Sequence, residues 1–184
     1  MKTQFHTMNK NCLRKYYREK RRLLSQERRL SAEKNLIKEL IPYITQHEMI
    51  LSHSSNNDEV ATDSLNRYIL RKSTLILPKV EGDILEIYKI DKLDSLVKNE
   101  WGIKEPSKKS EKVNAKIPSL LIIPGIVFDK EGQRIGYGKG FYDKFLTKIH
   151  NSATVLFVGF KEQLHPTALP SEEFDIKPTQ LILV

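Results

Sequence analysis

The densest run of chemistry-bearing residues is Arg134-Ile-Gly-Tyr-Gly-Lys-Gly-Phe-Tyr-Asp143. Glycines alternate within it at Gly136, Gly138 and Gly140. Alternating glycines let a backbone come close to a ligand, and successive N–H groups can converge on an anion. Arg134 and Lys139 add full positive charge beside that cradle. Asp143 offers a carboxylate for a divalent cation bridging phosphate oxygens. The chemistry served by this set is the binding of a phosphate-bearing ligand. A flexible turn is the competing reading, and the flanking Lys, Arg and Asp argue against it. Two familiar phosphate loops are excluded. A Walker A loop keeps four residues between its glycines and a Ser or Thr after the lysine, whereas Gly140 follows Lys139 here. A dinucleotide fingerprint places its third glycine where this chain has Phe141.

A second charge feature lies near the N-terminus. The chain carries +8 overall, and residues 10–29 alone carry +7 through nine Lys/Arg and two Glu. The rest is close to neutral, so the cationic character is local. Such a segment attracts phosphates of a nucleotide or a nucleic acid, or is simply a solvated helix face. Lys10, Arg14, Arg18 and Arg21 or Arg22 recur at steps of three or four and line one ridge of a helix.

The elements that must position these groups follow from periodicity. Leu13, Tyr16, Tyr17, Leu23 and Leu24 mark the apolar side of the first helix, and Ser25 caps a second with the stripe Leu30, Leu36, Ile37, Leu40, Ile41. Met49–Ser52 reads as a buried strand, residues 62–71 as a helix, and Thr74–Leu77 as a strand stopped by Pro78. Ile84, Ile87 and Ile90 lie in a further strand, and residues 99–118 read as a polar surface loop. Leu120–Ile123 is a buried strand leading to the glycine loop, Phe141–Ile149 a helix, and Thr154–Phe160 and Gln180–Val184 the last strands. Strands alternating with helices predict an α/β fold, a layered sandwich with a largely parallel central sheet flanked by helices. No second core is evident, so residues 1–184 are read as one domain.

One cysteine, Cys12, excludes a disulfide framework and a multi-cysteine zinc site. No apolar leader or membrane-length run is visible, so the expected compartment is the cytoplasm. The five histidines show no metal spacing.

With these residues in view, the chain resembles the 5-formyltetrahydrofolate cyclo-ligase (5,10-methenyltetrahydrofolate synthetase) family. The resemblance is carried by Pro124-Gly-Ile-Val-Phe-Asp129 with Arg134–Leu146, and by Lys10-Asn-Cys-Leu-Arg14, Asp58-Glu-Val-Ala-Thr62, Trp101-Gly-Ile-Lys-Glu-Pro106, Gly159-Phe-Lys-Glu-Gln163 and Asp175-Ile-Lys177. It departs from the family pattern at Ala61, Ser119 and Thr179. The resemblance implies ATP- and Mg2+-dependent closure of 5-formyltetrahydrofolate to 5,10-methenyltetrahydrofolate, with ADP and phosphate released. It implies nucleotide contacts from Lys10, Arg14, Arg134, Ile135, Gly136, Tyr137, Gly138, Lys139, Gly140, Phe141 and Tyr142, with Lys139 and Arg134 stabilising the transferred phosphoryl group. It implies folate contacts from Glu59, Trp101, Tyr137 and Phe141, and magnesium ligands at Asp143 and Asp175. The expected partner is a small molecule, with a polyglutamate tail as an option; neither nucleic acid nor membrane is expected, and a monomer is. The residue inventory suits such chemistry, because activation of a formyl oxygen by phosphorylation needs charge neutralisation and positioning, not a protein nucleophile.

Overall fold

The computed structural model describes residues 9–170 and 176–184. Helix α1 (Lys10–Arg22) is capped by Asn9, whose side chain accepts from the N–H groups of Asn11 and Cys12 at 3.0 Å. Helix α2 (Gln26–Ile44) starts at Ser25, whose hydroxyl accepts from the Arg28 N–H. Then follow β1 (Met49–Leu51), α3 (Asp63–Lys72), β2 (Thr74–Glu81), β3 (Ile84–Ile90), β4 (Val97–Lys98), β5 (Lys104–Glu105) and β6 (Lys112–Val113). The chain continues through β7 (Leu120–Pro124), β8 (Val127–Phe128), β9 (Arg134–Ile135), α4 (Phe141–Leu146), β10 (Thr154–Gly159) and β11 (Gln180–Leu183).

Seven strands form one sheet in the order β11-β10-β7-β1-β2-β3-β6. The five from β11 to β2 are parallel, and β3 and β6 add antiparallel strands at one edge. Strand alternation sorts the apolar side chains onto two faces. Leu120, Ile122, Leu156 and Val158 pack with Ala32, Leu36, Leu40 and Ile44 of α2 and Leu65 and Ile69 of α3. Leu121, Ile123, Val155 and Phe157 pack on the other face with Phe145 and Leu146 of α4. The predicted α/β sandwich with a largely parallel sheet is the architecture observed. Helix α1 stands outside it, and its Leu13 and Tyr17 bury against Ile126, Val127 and Ile135 of the β8–β9 hairpin.

Three boundaries differ from expectation. Pro78 does not stop β2, because β1 pairs only as far as Ile76 and leaves β3 as the sole partner beyond it; a proline N–H is not missed there. Helix α4 ends at Leu146 instead of Ile149, where the Lys148 N–H turns back to the Phe145 carbonyl and tightens the last turn. Residues 99–118 are not plain loop, since they contribute β5 and the edge strand β6.

The order places β1 between β2, reached through α3, and β7, reached much later in the chain. Connections therefore leave the carboxyl ends of β1 and β7 in different directions and open a crevice. Ligands in open α/β sheets bind at such a switch point. The loop after β1 (residues 52–62) and the loops around β8 and β9 both emerge there.

Candidate active site

Helix α1 crosses this crevice, and its arginines organise it. Arg14 donates from Nε to the Gly136 carbonyl at 2.8 Å and from Nη1 to Asn11 Oδ1 at 2.6 Å. Its guanidinium also lies under Gly138, where an added Cβ would sit 3.2 Å from Arg14 Cζ. Gly138 has φ +98°, a conformation side chains resist, so the loop reaches Arg14 only with glycine at this place. Lys10 opens α1 beside it.

Arg21, four residues after Tyr17, is fully buried. It donates from Nη1 to the Gly125 carbonyl at 3.2 Å, and from Nη2 to Asp58 Oδ2 at 2.8 Å and the Tyr137 hydroxyl at 3.1 Å. Burial opposes its charge, but Tyr137, Asp58 and Glu59 together keep the guanidinium pKa raised. Of the two residues offered for the end of the ridge, the structure selects Arg22, which is exposed beside Glu19, while Arg21 points into the protein. The four-residue steps from Leu13 to Tyr17 to Arg21 are the signal that could have put Arg21 on the buried face; what it pairs with is not readable locally.

Tyr137 donates in turn to Glu59 Oε1 at 2.6 Å, and Glu59 Oε2 accepts from the Asn56 N–H at 2.7 Å. Burial and the Glu59 carboxylate push the phenol pKa well above its ordinary value, so the hydroxyl stays a donor. The guanidinium groups of Arg18 and Arg21 lie 5.9 and 5.8 Å from the Tyr137 ring centre. Beside this cluster an open cleft of about 420 Å³ is lined by Arg18, Arg22, Arg29, Asn56, Asn57 and Asp58.

Arg134 is held differently. Its side chain is 5% exposed, bonds the Pro124 carbonyl and pairs with Asp143. It stacks over Phe157 and Tyr142 at 5.2 and 5.8 Å. Lys139 is exposed at the loop crest, and Gly140 takes φ +68° to start α4. Ile135 is buried in the α1 cluster, and Phe141 and Tyr142 pack toward the α4 face of the sheet. The structure therefore brings Arg14, Glu59, Gly136, Tyr137 and Gly138 together, with Arg134 and Asp143 on the same loop.

Trp101 stands apart. It is 63% exposed in the β4–β5 turn and lines a separate cavity of about 390 Å³ with Val80, Gly82, Asn99, Glu100 and Glu105. None of these belongs to the Tyr137–Glu59 cluster. Lys104 of β5, which follows the turn, pairs with Asp63 at the start of α3 at 3.4 Å. Asp175 lies outside the described residues. Sequence reasoning missed two buried acids, Asp58 and Asp129. Asp129 Oδ1 accepts from the Glu131 and Gln133 N–H groups and Oδ2 from the Leu169 N–H, which shapes the β8–β9 turn.

Among the described residues no group of three or more His, Cys, Asp or Glu is placed to hold a metal. Magnesium is often held by one or two carboxylates plus substrate phosphates and water. Asp143, a partly exposed oxygen donor beside the loop, suits that mode, although it is paired with Arg134.

Comparison with known proteins shows the family. The family model described as "5-formyltetrahydrofolate cyclo-ligase family" matches residues 6–183. A mouse 5-formyltetrahydrofolate cyclo-ligase is 27% identical, over 94% of this chain and 92% of its own length. A probable 5-formyltetrahydrofolate cyclo-ligase from Schizosaccharomyces pombe is 34% identical over 59% of this chain and 60% of its own. The solution structure of Aquifex aeolicus 5,10-methenyltetrahydrofolate synthetase superposes with a TM-score of 0.84 at 31% identity, over 96% of this chain and 90% of that one. The chain belongs to the 5-formyltetrahydrofolate cyclo-ligase family.

Proposed function

We propose that this protein closes the imidazoline ring of 5-formyltetrahydrofolate with ATP, giving 5,10-methenyltetrahydrofolate, ADP and phosphate. The observation that carries the reading is the 2.6 Å bond from Tyr137 of the glycine loop to Glu59, which sets a phosphate-binding loop against an acidic group suited to a pterin's N–H donors. Membership of the family supports the same reaction.

A formamide carbon is a poor electrophile. In the proposed reaction the formyl oxygen attacks the γ-phosphorus of ATP, and the bond from that phosphorus to ADP breaks. N10 then attacks the activated carbon, phosphate departs with the former formyl oxygen, and the N10 proton is lost to it. Lys139 and Arg14, with the loop N–H groups, bind and orient the phosphates. Arg134 holds Asp143 and the loop base, Glu59 orients the pterin, and Phe141 and Tyr142 fix the loop to the sheet. Asp143, with Asp175 as the second candidate, would hold magnesium, which when bound neutralises phosphate charge. Trp101 would join the folate site only through a movement of the β4–β5 turn.

The assignment keeps the other expectations as parts of the reading: one domain, a monomer, a cytoplasmic setting and a folate that can carry a polyglutamate tail. Nucleic acid is not a partner in this reading, because much of the basic segment is used internally. Arg28 binds Glu162 through two bonds of 2.7 Å and also the Val184 carbonyl, and Arg29 donates to the carbonyls of Leu24, Asn57 and Arg21. No helix among the described residues is long and apolar enough to cross a membrane. The test is a spectroscopic assay for methenyltetrahydrofolate with purified protein. Formation that requires ATP is expected; no product with ATP and magnesium present, or equal rates without ATP, refutes the proposal.

A further inference from the structure

We propose that the Tyr137 hydroxyl is a strut that couples the nucleotide loop to the folate pocket, with Arg21 as its anchor. The proposal rests on the functional reading above, in which Arg14 faces the nucleotide and Glu59 the folate.

The strut is fixed at three points. Arg14 grips the backbone on both sides of Tyr137, through the Gly136 carbonyl at 2.8 Å and by packing under Gly138. Arg21 donates to the hydroxyl at 3.1 Å from a buried position that Asp58 and the Gly125 carbonyl hold in place. The hydroxyl spends its one proton on Glu59 Oε1 at 2.6 Å. With Asn56 N–H on Oε2, the Glu59 carboxylate is held from both sides, and each oxygen keeps lone-pair capacity for a ligand's N–H groups. The strongly raised pKa of the phenol keeps that proton in place throughout the neutral range.

A glycine-flanked segment has little stiffness of its own, so its position follows what binds it. Phosphates that engage Arg14 act on the guanidinium that grips residues 136 and 138, and any shift or tightening there reaches Glu59 through one side chain. Nucleotide then raises folate affinity, and by linkage folate raises nucleotide affinity by the same factor. Arg21 touches neither ligand in this scheme. It is a positioning residue, and its loss acts on the coupling.

The experiment is calorimetric titration of the full chain with 5-formyltetrahydrofolate, with and without a saturating non-hydrolysable ATP analogue and magnesium. Wild type should bind folate roughly tenfold more tightly with the analogue, the lower end of what a hydrogen bond to a charged group contributes. Tyr137→Phe keeps the ring and removes the strut, so the ratio should fall close to one, whatever the variant does to each affinity measured alone. Arg21→Lys keeps a charge for Asp58 but cannot serve Gly125, Asp58 and Tyr137 together, so it should lose most of the coupling while melting cooperatively. If Arg21→Lys fails to fold, Tyr137→Phe decides. Absence of coupling in wild type overturns the strut, as does full coupling in Tyr137→Phe; a normal ATP-dependent assay in the same preparation shows that the functional reading survives. Failure of wild type to bind folate at all, with no turnover, overturns both.

Discussion

Replacing Lys139 and Arg134 separately should divide phosphate binding from loop architecture. Both are cations of one loop, but their settings differ. Lys139 is exposed at the crest, so Lys139→Ala should change stability by no more than about 0.5 kcal/mol. The lost charge-assisted contact to phosphate, about 1.5–3 kcal/mol, corresponds to roughly a ten- to hundredfold drop in kcat/KM for ATP. Arg134 is almost fully covered and carries the Pro124 bond, the Asp143 pair and two ring contacts. Charged hydrogen bonds of about 1.5–3 kcal/mol and ring contacts of about 0.5–1 kcal/mol each put Arg134→Ala near 3 kcal/mol of lost stability, discounted for the half-exposed Asp143. For a chain of this size that is a fall in Tm of roughly 6–12 °C. Thermal melts and steady-state kinetics at limiting ATP, on both variants, read the two quantities. A Lys139→Ala protein with wild-type efficiency would remove the lysine from the phosphate site. An Arg134→Ala protein with an unchanged Tm would show that the covered arginine does not hold the loop.

Asp143→Asn should raise the magnesium concentration needed for half-maximal rate, and added magnesium should restore part of the activity; an unchanged half-saturation with a lower plateau excludes the metal role. Gly138→Ala should cost about 1–2 kcal/mol, because φ +98° is strained for alanine and its Cβ presses on Arg14, and KM for ATP should rise; melts and ATP titration check both. Stability should decline in mild acid. Burial holds the His53 and His165 imidazoles below their ordinary pKa, so the unfolded chain takes up protons near pH 6.5 that the fold refuses. This contribution is fully present above that pH and lost below it. Urea melts from pH 7.5 to 5 should show the decline, and His53→Gln, which keeps a donor for the Ile122 carbonyl, should flatten it.

Much of the fold was legible because it is written in local periodicity. A parallel strand buried on both faces must be a continuous apolar run, and Leu120–Ile123 and Val155–Val158 are such runs. Helical spacing marked α1 and α2, and Ser25 marked the start of the second. The glycine loop was legible for the same reason: its glycines, Lys139, Arg134 and Asp143 are neighbours in the chain, so their shared position needs no long-range contact. The order of strands, the passage of β2 through Pro78 and the site's internal wiring were decided only in three dimensions. Arg21 meets Asp58 and Tyr137, which lie 37 and 116 residues away, because β1 and β7 are adjacent and their loops open on one side. Composition set Arg21 among nine cations; only the packing of α1 across the crevice separated this buried one from its solvated neighbours. It also left Trp101 on a turn away from Glu59. Spacing along a helix or strand is set by backbone geometry, which each segment carries by itself, whereas the partner of a buried charge is set by which loops the sheet order brings together.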